Sequence, residues 1–70
     1  MNEKKLRAKM MELGETVPSI SQKLGISEAS LRNKLTGRTE FTQGEISLLV
    51  SILGLSKDEV MDIFFSPEVS

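Results

Sequence analysis

Residues 16–37, TVPSISQKLGISEASLRNKLTG, contain two short apolar patterns separated by the tripeptide Gly-Ile-Ser. Each pattern has apolar residues four positions apart, which places them on one face of a helix. The glycine of the tripeptide can end the first helix in a left-handed conformation, and the serine can cap the second. These residues therefore predict two short helices joined by a tight turn. The apolar residues that define them are Ile20, Leu24, Leu31 and Leu35, with Ile26 in the turn.

Two short helices that cross steeply around a glycine-containing turn form a helix-turn-helix. In that motif the second helix lies in the major groove of DNA and is called the recognition helix. The sequence therefore predicts a DNA-binding module, formed by the second and third helices of the chain, rather than an enzyme.

Caps and apolar spacing predict three further helices. Asn2 can cap a first helix, and two capping boxes, Thr42 with Glu45 and Ser56 with Glu59, can open the last two. No segment has the alternating pattern of a strand, so we expect an all-α fold. The five predicted helices are residues 3–13, 17–24, 28–36, 43–53 and 57–65. We expect one domain over residues 1–66 and a frayed tail at residues 67–70.

The composition excludes several classes of protein. The chain has 70 residues, with three Phe, no Trp or Tyr, and neither cysteine nor histidine. Disulfides, thiolate or imidazole metal ligands and the commonest general base are therefore unavailable. Nothing resembles a signal peptide, and no apolar run approaches the ~20 residues of a membrane span. We expect a cytoplasmic protein without catalytic residues, metal, cofactor, small-molecule substrate or membrane partner.

The net charge of −1 conceals an uneven distribution. Residues 1–39 carry eight Lys or Arg against four Glu, whereas residues 40–70 carry one Lys against six Asp or Glu. A basic half suits a domain that presents one face to phosphates. The alternative is that solvated helices simply differ in charge.

The quoted residues also carry a resemblance to a known family. Ile20, the sequence LGIS at residues 24–27, Leu31 and Gly37 resemble the Cro and phage-repressor family of helix-turn-helix proteins, also called the xenobiotic-response-element type. Residues 31–46, LRNKLTGRTEFTQGEI, are especially similar to small regulators of phages of Gram-positive bacteria. The resemblance covers residues 3–65. It implies a five-helix, lambda-repressor-like domain that represses transcription by occluding a promoter in a bacterial or phage-infected host cell.

Base contacts are expected from the outward side of the third helix, because Leu31 and Leu35 define its inward side. Arginine pairs with guanine, asparagine with adenine, glutamate accepts from the cytosine amino group, and alanine contacts the thymine methyl group. The alternative is that Glu28 only complements the helix dipole, while Arg32 and Asn33 are ordinary surface residues. The predicted base-contacting residues are Ser27, Glu28, Ala29, Ser30, Arg32 and Asn33.

Phosphate contacts are expected where helix 2 begins and just beyond the recognition helix. Free N–H groups at a helix start attract anions, and such contacts fix the position of the protein without reading sequence. Lys23 is equally compatible with a solvated outer position. Phe41 is expected in the core rather than as a platform for stacked bases. The predicted phosphate-contacting residues are Thr16, Lys23, Lys34, Arg38 and Thr39.

A homodimer is expected, because one recognition helix reads only a few base pairs. Two copies read a palindrome whose half-sites lie about 34–36 Å apart. The last two helices carry more apolar residues than one buried face needs, and exposed apolar patches mark interfaces. The alternative is that a small core takes all of them inside. The predicted interface residues are Leu48, Ile52, Met61, Ile63, Phe64 and Phe65.

A protein-interaction module, such as an antitoxin-like adaptor on the same fold, is the alternative function. The sequence pI of about 5.3 favours it. So does Val17-Pro18, where the family often has a glutamine that contacts DNA. Binding to double-stranded DNA weakens steeply with salt, and a pure interaction module lacks that dependence.

Overall fold

The computed structural model describes residues 1–65, and within that range it contains five helices and no strand. The predicted all-α fold is therefore confirmed, with each helix beginning where the sequence predicts. The predicted domain end at residue 66 and the tail at 67–70 lie outside the described residues. The helices are α1 Glu3–Glu12, α2 Val17–Leu24, α3 Glu28–Leu35, α4 Gln43–Leu53 and α5 Lys57–Val60, and α5 continues into a π-helical turn at Met61–Phe65.

Local capping chemistry explains where the helices begin. The Asn2 side chain accepts a hydrogen bond from Lys5 N at 3.1 Å, as expected of a cap. Both predicted capping boxes, at the starts of α4 and α5, are present. A third box, formed by Thr16 with Ser19 at the start of α2, is not in the sequence prediction, because serine replaces the usual Glu or Gln.

The turn between α2 and α3 uses each of its three residues differently. Gly25 adopts a left-handed conformation with φ of 73°. Ile26 N then donates a hydrogen bond to Ser21 O at 3.0 Å, which closes the end of α2, and the Ile26 side chain packs against the core. The Ser27 hydroxyl accepts from Ser30 N at 3.0 Å and opens α3. The turn is therefore fixed by hydrogen bonds on both sides.

The core is aliphatic, as the composition predicts. α2 packs against α3 and α4, and α1 packs against the π-helical turn. Ser21 is the buried polar residue among residues 1–65, and its hydroxyl donates to Pro18 O at 2.9 Å. The buried apolar residues are Leu6, Met10, Ile20, Leu24, Leu31, Leu35, Leu49, Leu53, Leu55 and Ile63.

The fifth helix differs from the prediction, because only its first four residues are α-helical. The wider turn that follows directs the Ile63 side chain into the core, where it is 3% exposed. The Ile63 carbonyl oxygen accepts a hydrogen bond from Asn2 N at 2.6 Å, which ties the start of the described chain to its end.

Two capping glutamates also pair with a lysine of another helix. Glu45 Oε1 accepts from Lys34 Nζ at 2.9 Å, and Glu59 Oε2 accepts from Lys9 Nζ at 2.9 Å. The Thr42 N–H and then Lys34 lower the pKa of Glu45, while the Ser56 N–H and then Lys9 lower that of Glu59. These pairs connect α3 to α4 and α1 to α5.

Candidate nucleic-acid interface

The outward side of α3 is largely exposed, whereas its inward side is fully buried. Leu31 and Leu35 have no exposed surface. Glu28, Ala29 and Arg32 are exposed on the other side. Asn33 is half-buried beside them. We call these four outward residues the α3 face.

The two serines at the start of α3 are placed differently from each other. Ser27 is exposed, and its hydroxyl accepts the capping hydrogen bond from Ser30 N, so its own O–H remains available as a donor. Ser30 is half-buried. Ser27 therefore combines a structural role with the exposure that its predicted base contact requires.

A salt bridge spans the α3 face. Arg32 Nη2 lies 3.4 Å from Glu28 Oε1, and the two side chains are 58% and 47% exposed. Both groups keep most of their hydration, and such i, i+4 pairs contribute only about 0.3–0.5 kcal/mol. In the unbound protein, where both groups are hydrated, this pair therefore holds the arginine only weakly.

The exit from α3 places Arg38 and Thr39 next to the helix end. Gly37, with φ of 85°, turns the chain so that Arg38 N donates to Asn33 O at 2.9 Å and Thr39 N donates to the same oxygen at 3.2 Å. Both side chains are exposed. Arg38 has no ion-pair partner within residues 1–65. Hydrogen bonds thus fix the backbone, while the guanidinium is on an exposed side chain.

Lys34 is placed differently from its predicted phosphate contact. Its side chain is 11% exposed, and Nζ donates to Glu45 Oε1 at 2.9 Å and to Glu40 O at 3.2 Å. The ammonium also lies 5.9 Å from the centre of the Phe41 ring. These partners give Lys34 the structural role of joining α3 to α4, and its predicted phosphate contact would compete with them.

The start of α2 carries its own anion. The Glu15 carboxylate accepts from Ser19 Oγ at 2.6 Å and pairs with Lys23 Nζ at 2.5 Å. Lys23 first and Ser19 second lower the pKa of Glu15. Thr16 is exposed, but its hydroxyl accepts the capping bond from Ser19 N at 3.2 Å. The predicted contacts of Thr16 and Lys23 therefore compete with an intramolecular carboxylate.

The predicted dimer residues divide into three groups. Leu48, Met61 and Phe65 are 46%, 57% and 59% exposed, whereas Ile52 and Phe64 are half-buried. The Phe64 ring packs edge-on against Phe41 with centroids 6.0 Å apart, so the expected core position of Phe41 fits the structure. Ile63 is 3% exposed and belongs to the core. Its assignment to the interface is corrected, because the π-helical turn directs it inward.

Two ionic contacts near the candidate interface are absent from the sequence prediction. The Glu28–Arg32 pair has a signal in the sequence, because a glutamate four positions before an arginine favours pairing on a helix. The Glu15–Lys23 pair has no such signal, since the two residues belong to different elements and meet only through the turn between α1 and α2.

Comparisons of the chain with protein-family models, with curated proteins and with solved structures give no match. None of the helices within residues 1–65 has both the length and the apolar character needed to cross a membrane.

Proposed function

We propose that this chain is a sequence-specific regulator of transcription that binds double-stranded DNA. α2 and α3 act as a helix-turn-helix in a lambda-repressor-like domain, with α3 as the recognition helix. One observation carries the proposal: α3 is anchored by two leucines without exposed surface, while the hydrogen-bonding side chains of Glu28 and Arg32 are exposed on its other side. A rigid helix with a bare polar face is what major-groove binding requires.

The α3 face offers complementary base chemistry. Arg32 can donate two hydrogen bonds to guanine, and Asn33 can both donate to and accept from adenine. Ala29 can contact a thymine methyl group, and the free O–H of Ser27 is a short-range donor. With eight residues at 1.5 Å each, α3 extends about 12 Å and reads only a few base pairs.

Residues on either side of the α3 face provide the proposed phosphate contacts. Arg38 and Thr39 are exposed at the exit of α3, and Arg38 lacks an ion-pair partner within residues 1–65. Thr16 and Lys23 stand at α2 beside Glu15, so they contribute only when a phosphate displaces or outweighs that carboxylate. We therefore assign the main phosphate contact to Arg38.

A homodimer completes the proposal, because one copy is too short to read two half-sites. The Cα atoms extend 27 Å along the longest axis, whereas successive turns of one major-groove face lie about 34–36 Å apart. The proposed interface contains the exposed Leu48, Met61 and Phe65 with the half-buried Ile52 and Phe64.

Repression, by occlusion of a promoter in the cytoplasm of a bacterial or phage-infected cell, is the direction implied by the resemblance to Cro and phage repressors. Selection of bound duplexes from a random library, followed by a salt titration on the recovered sequence, tests the proposal. We expect an inverted repeat and an affinity that falls steeply with salt. Recovery of no sequence at low ionic strength would overturn it.

A protein-interaction module remains the second candidate, because much of the positive charge is already neutralised within the chain. Six of the nine basic residues form ion pairs inside residues 1–65. Met11 is 80% exposed near the end of α1 and offers an apolar contact. Binding to a protein partner with no salt-sensitive affinity for duplexes would favour this function.

A further inference from the structure

An acidic residue lies in the middle of the proposed DNA-binding surface. Glu28 is the only Asp or Glu between residues 16 and 39, a range that contains four Lys or Arg. Its carboxylate is 47% exposed on the α3 face. A negative charge there opposes the attraction of phosphates, so it lowers affinity for any duplex that offers it no donor.

The geometry makes Glu28 more than a repulsive charge, because its partner is the arginine proposed to read guanine. In the unbound protein Arg32 Nη2 lies 3.4 Å from Glu28 Oε1. When Arg32 turns to a guanine or to a phosphate, Glu28 loses that donor. It then faces the hydrogen-bond acceptors of the DNA phosphates and bases without a partner. An unpaired carboxylate in a desolvated site is strongly unfavourable.

One base edge in the major groove replaces the lost donor. The amino group of cytosine donates a hydrogen bond, and glutamate is a suitable acceptor for it. Adenine also presents an amino group, but it stands beside the N7 acceptor of the same base, which repels a carboxylate. A site that offers a cytosine to Glu28 and a guanine to Arg32 therefore satisfies both members of the pair.

We propose that Glu28 is a selectivity residue, whose carboxylate makes release of Arg32 favourable only on duplexes that present a cytosine amino group to it. This inference rests on the proposed DNA binding of α3. The charge of Glu28 lowers affinity for duplexes in general, and a hydrogen bond from cytosine restores that affinity on the matched site. Selectivity therefore comes from weaker binding to other sequences as well as from a favourable contact with the matched one.

The chain contains a matched control for this residue. Glu3 occupies the first position of α1 as Glu28 does that of α3, and each follows a side-chain cap. Glu3 also pairs with an arginine four positions later, Arg7, at 2.7 Å. Glu3→Gln and Glu28→Gln therefore remove the same charge, from the same helix position and the same kind of pair.

The test compares affinities of the wild type and both variants for the selected duplex and for a scrambled duplex of equal length, at one salt concentration. We expect E28Q to bind the scrambled duplex at least about ten-fold more tightly than wild type does. The ratio of affinity for the selected duplex to affinity for the scrambled duplex should then fall by a similar factor. E3Q should leave that ratio unchanged. Library selection with E28Q should also weaken a cytosine preference at one position of each half-site, because the neutral amide is a weaker acceptor and also presents donors.

The outcomes separate this inference from the proposed function. Wild-type protein that binds no duplex overturns both. Wild-type protein that binds a specific duplex, with an E28Q ratio that is unchanged or equal to that of E3Q, overturns the selectivity role alone. Thermal unfolding of both variants checks that a changed ratio does not reflect loss of the fold.

Discussion

At the scale of single residues, Gly25 forms the turn that sets the direction of α3 relative to α2. Its φ of 73° is left-handed, and a Cβ built there would meet no atom within 4 Å. The reason for glycine is thus backbone conformation rather than space. Gly25→Ala should destabilise the fold by about 1–2 kcal/mol, the cost of placing an L-residue in that region. Thermal or denaturant unfolding measures it.

Gly44 supplies the control for that substitution. It lies inside α4 with no positive φ, and a Cβ there would also meet nothing within 4 Å. Gly44→Ala should stabilise the fold by about 0.5–1 kcal/mol, because alanine loses less backbone freedom in a helix. Equal effects of the two substitutions would contradict the strained turn.

Arg32 allows a similarly controlled test of the α3 face. Arg32→Ala removes a predicted guanine contact and should weaken binding to the selected duplex by about 1–3 kcal/mol while broadening the sequences that are accepted. Arg7→Ala on α1 breaks an equivalent salt bridge and should have little effect. Competition binding measures both. Equal losses would show that Arg32 acts only through its charge.

At the scale of helices and turns, sequence predicts boundaries well, because caps are local chemistry. The capping boxes at Thr42 and Ser56 join residues three positions apart, so the sequence pattern alone is enough to predict the contact. The contacts that fix the helices against one another are not local. Lys34 pairs with Glu45 across a loop, and Lys9 pairs with Glu59 across fifty positions of chain.

The π-helical turn shows the same limit. An α-helical projection of residues 57–65 leaves the inward residues ambiguous, because nearly every position after Glu59 is apolar. Only the tertiary hydrogen bond from Asn2 N and the packing of Ile63 against the core identify the buried residue. The outward position of the proposed base-contacting residues, in contrast, follows from the spacing of Leu31 and Leu35, both of which are buried in the structure.

The exit of α3 separates a structural lysine from a proposed phosphate-binding arginine. The slope of log affinity against log salt counts neutralised phosphates, at about 0.9 per contact. Arg38→Ala should lower that slope by about one contact without changing stability. Lys34→Ala should leave the slope unchanged and lower the melting temperature, because it removes partners from Glu45 and Phe41. A fall in the slope for Lys34→Ala would restore its predicted contact.

The helix-joining glutamates also predict a pH dependence. Glu45 and Glu59 have pKa values lowered from the ordinary 4.5, first by the N–H of their caps and then by lysines. Such carboxylates bind fewer protons folded than unfolded, so their contribution to stability is complete above pH 4.5 and is lost as pH falls through the folded-state pKa.

Glu45→Gln keeps a side chain able to cap α4 but removes this charge. Its melting temperature should therefore fall less than that of wild type between pH 5 and pH 3, a range about the ordinary carboxyl pKa. Glu40→Gln is the control, because the Glu40 side chain is exposed and has no ion-pair partner in residues 1–65. Parallel curves for all three proteins would exclude Glu45 as a source of acid sensitivity.

At the scale of the whole molecule, the proposal depends on two copies acting together, since a single copy is shorter than the half-site spacing. Leu48, 46% exposed on α4, and Met11, 80% exposed on α1, form a matched pair for testing this. Leu48→Glu should place a charge in the interface and shift the protein to monomer in sedimentation equilibrium. Met11→Glu adds the same charge at an exposed helix position outside the interface and should remain dimeric.

DNA binding should then report the loss of the dimer. Leu48→Glu should bind a single half-site as wild type does, because α3 is untouched, but should lose the added affinity for the inverted repeat. That gain comes from linking two binding events, which raises the effective concentration of the second copy. If Leu48→Glu stays dimeric and keeps its preference for the repeat, the two copies meet through another surface. If wild type is monomeric and still prefers the repeat, the copies associate only on DNA.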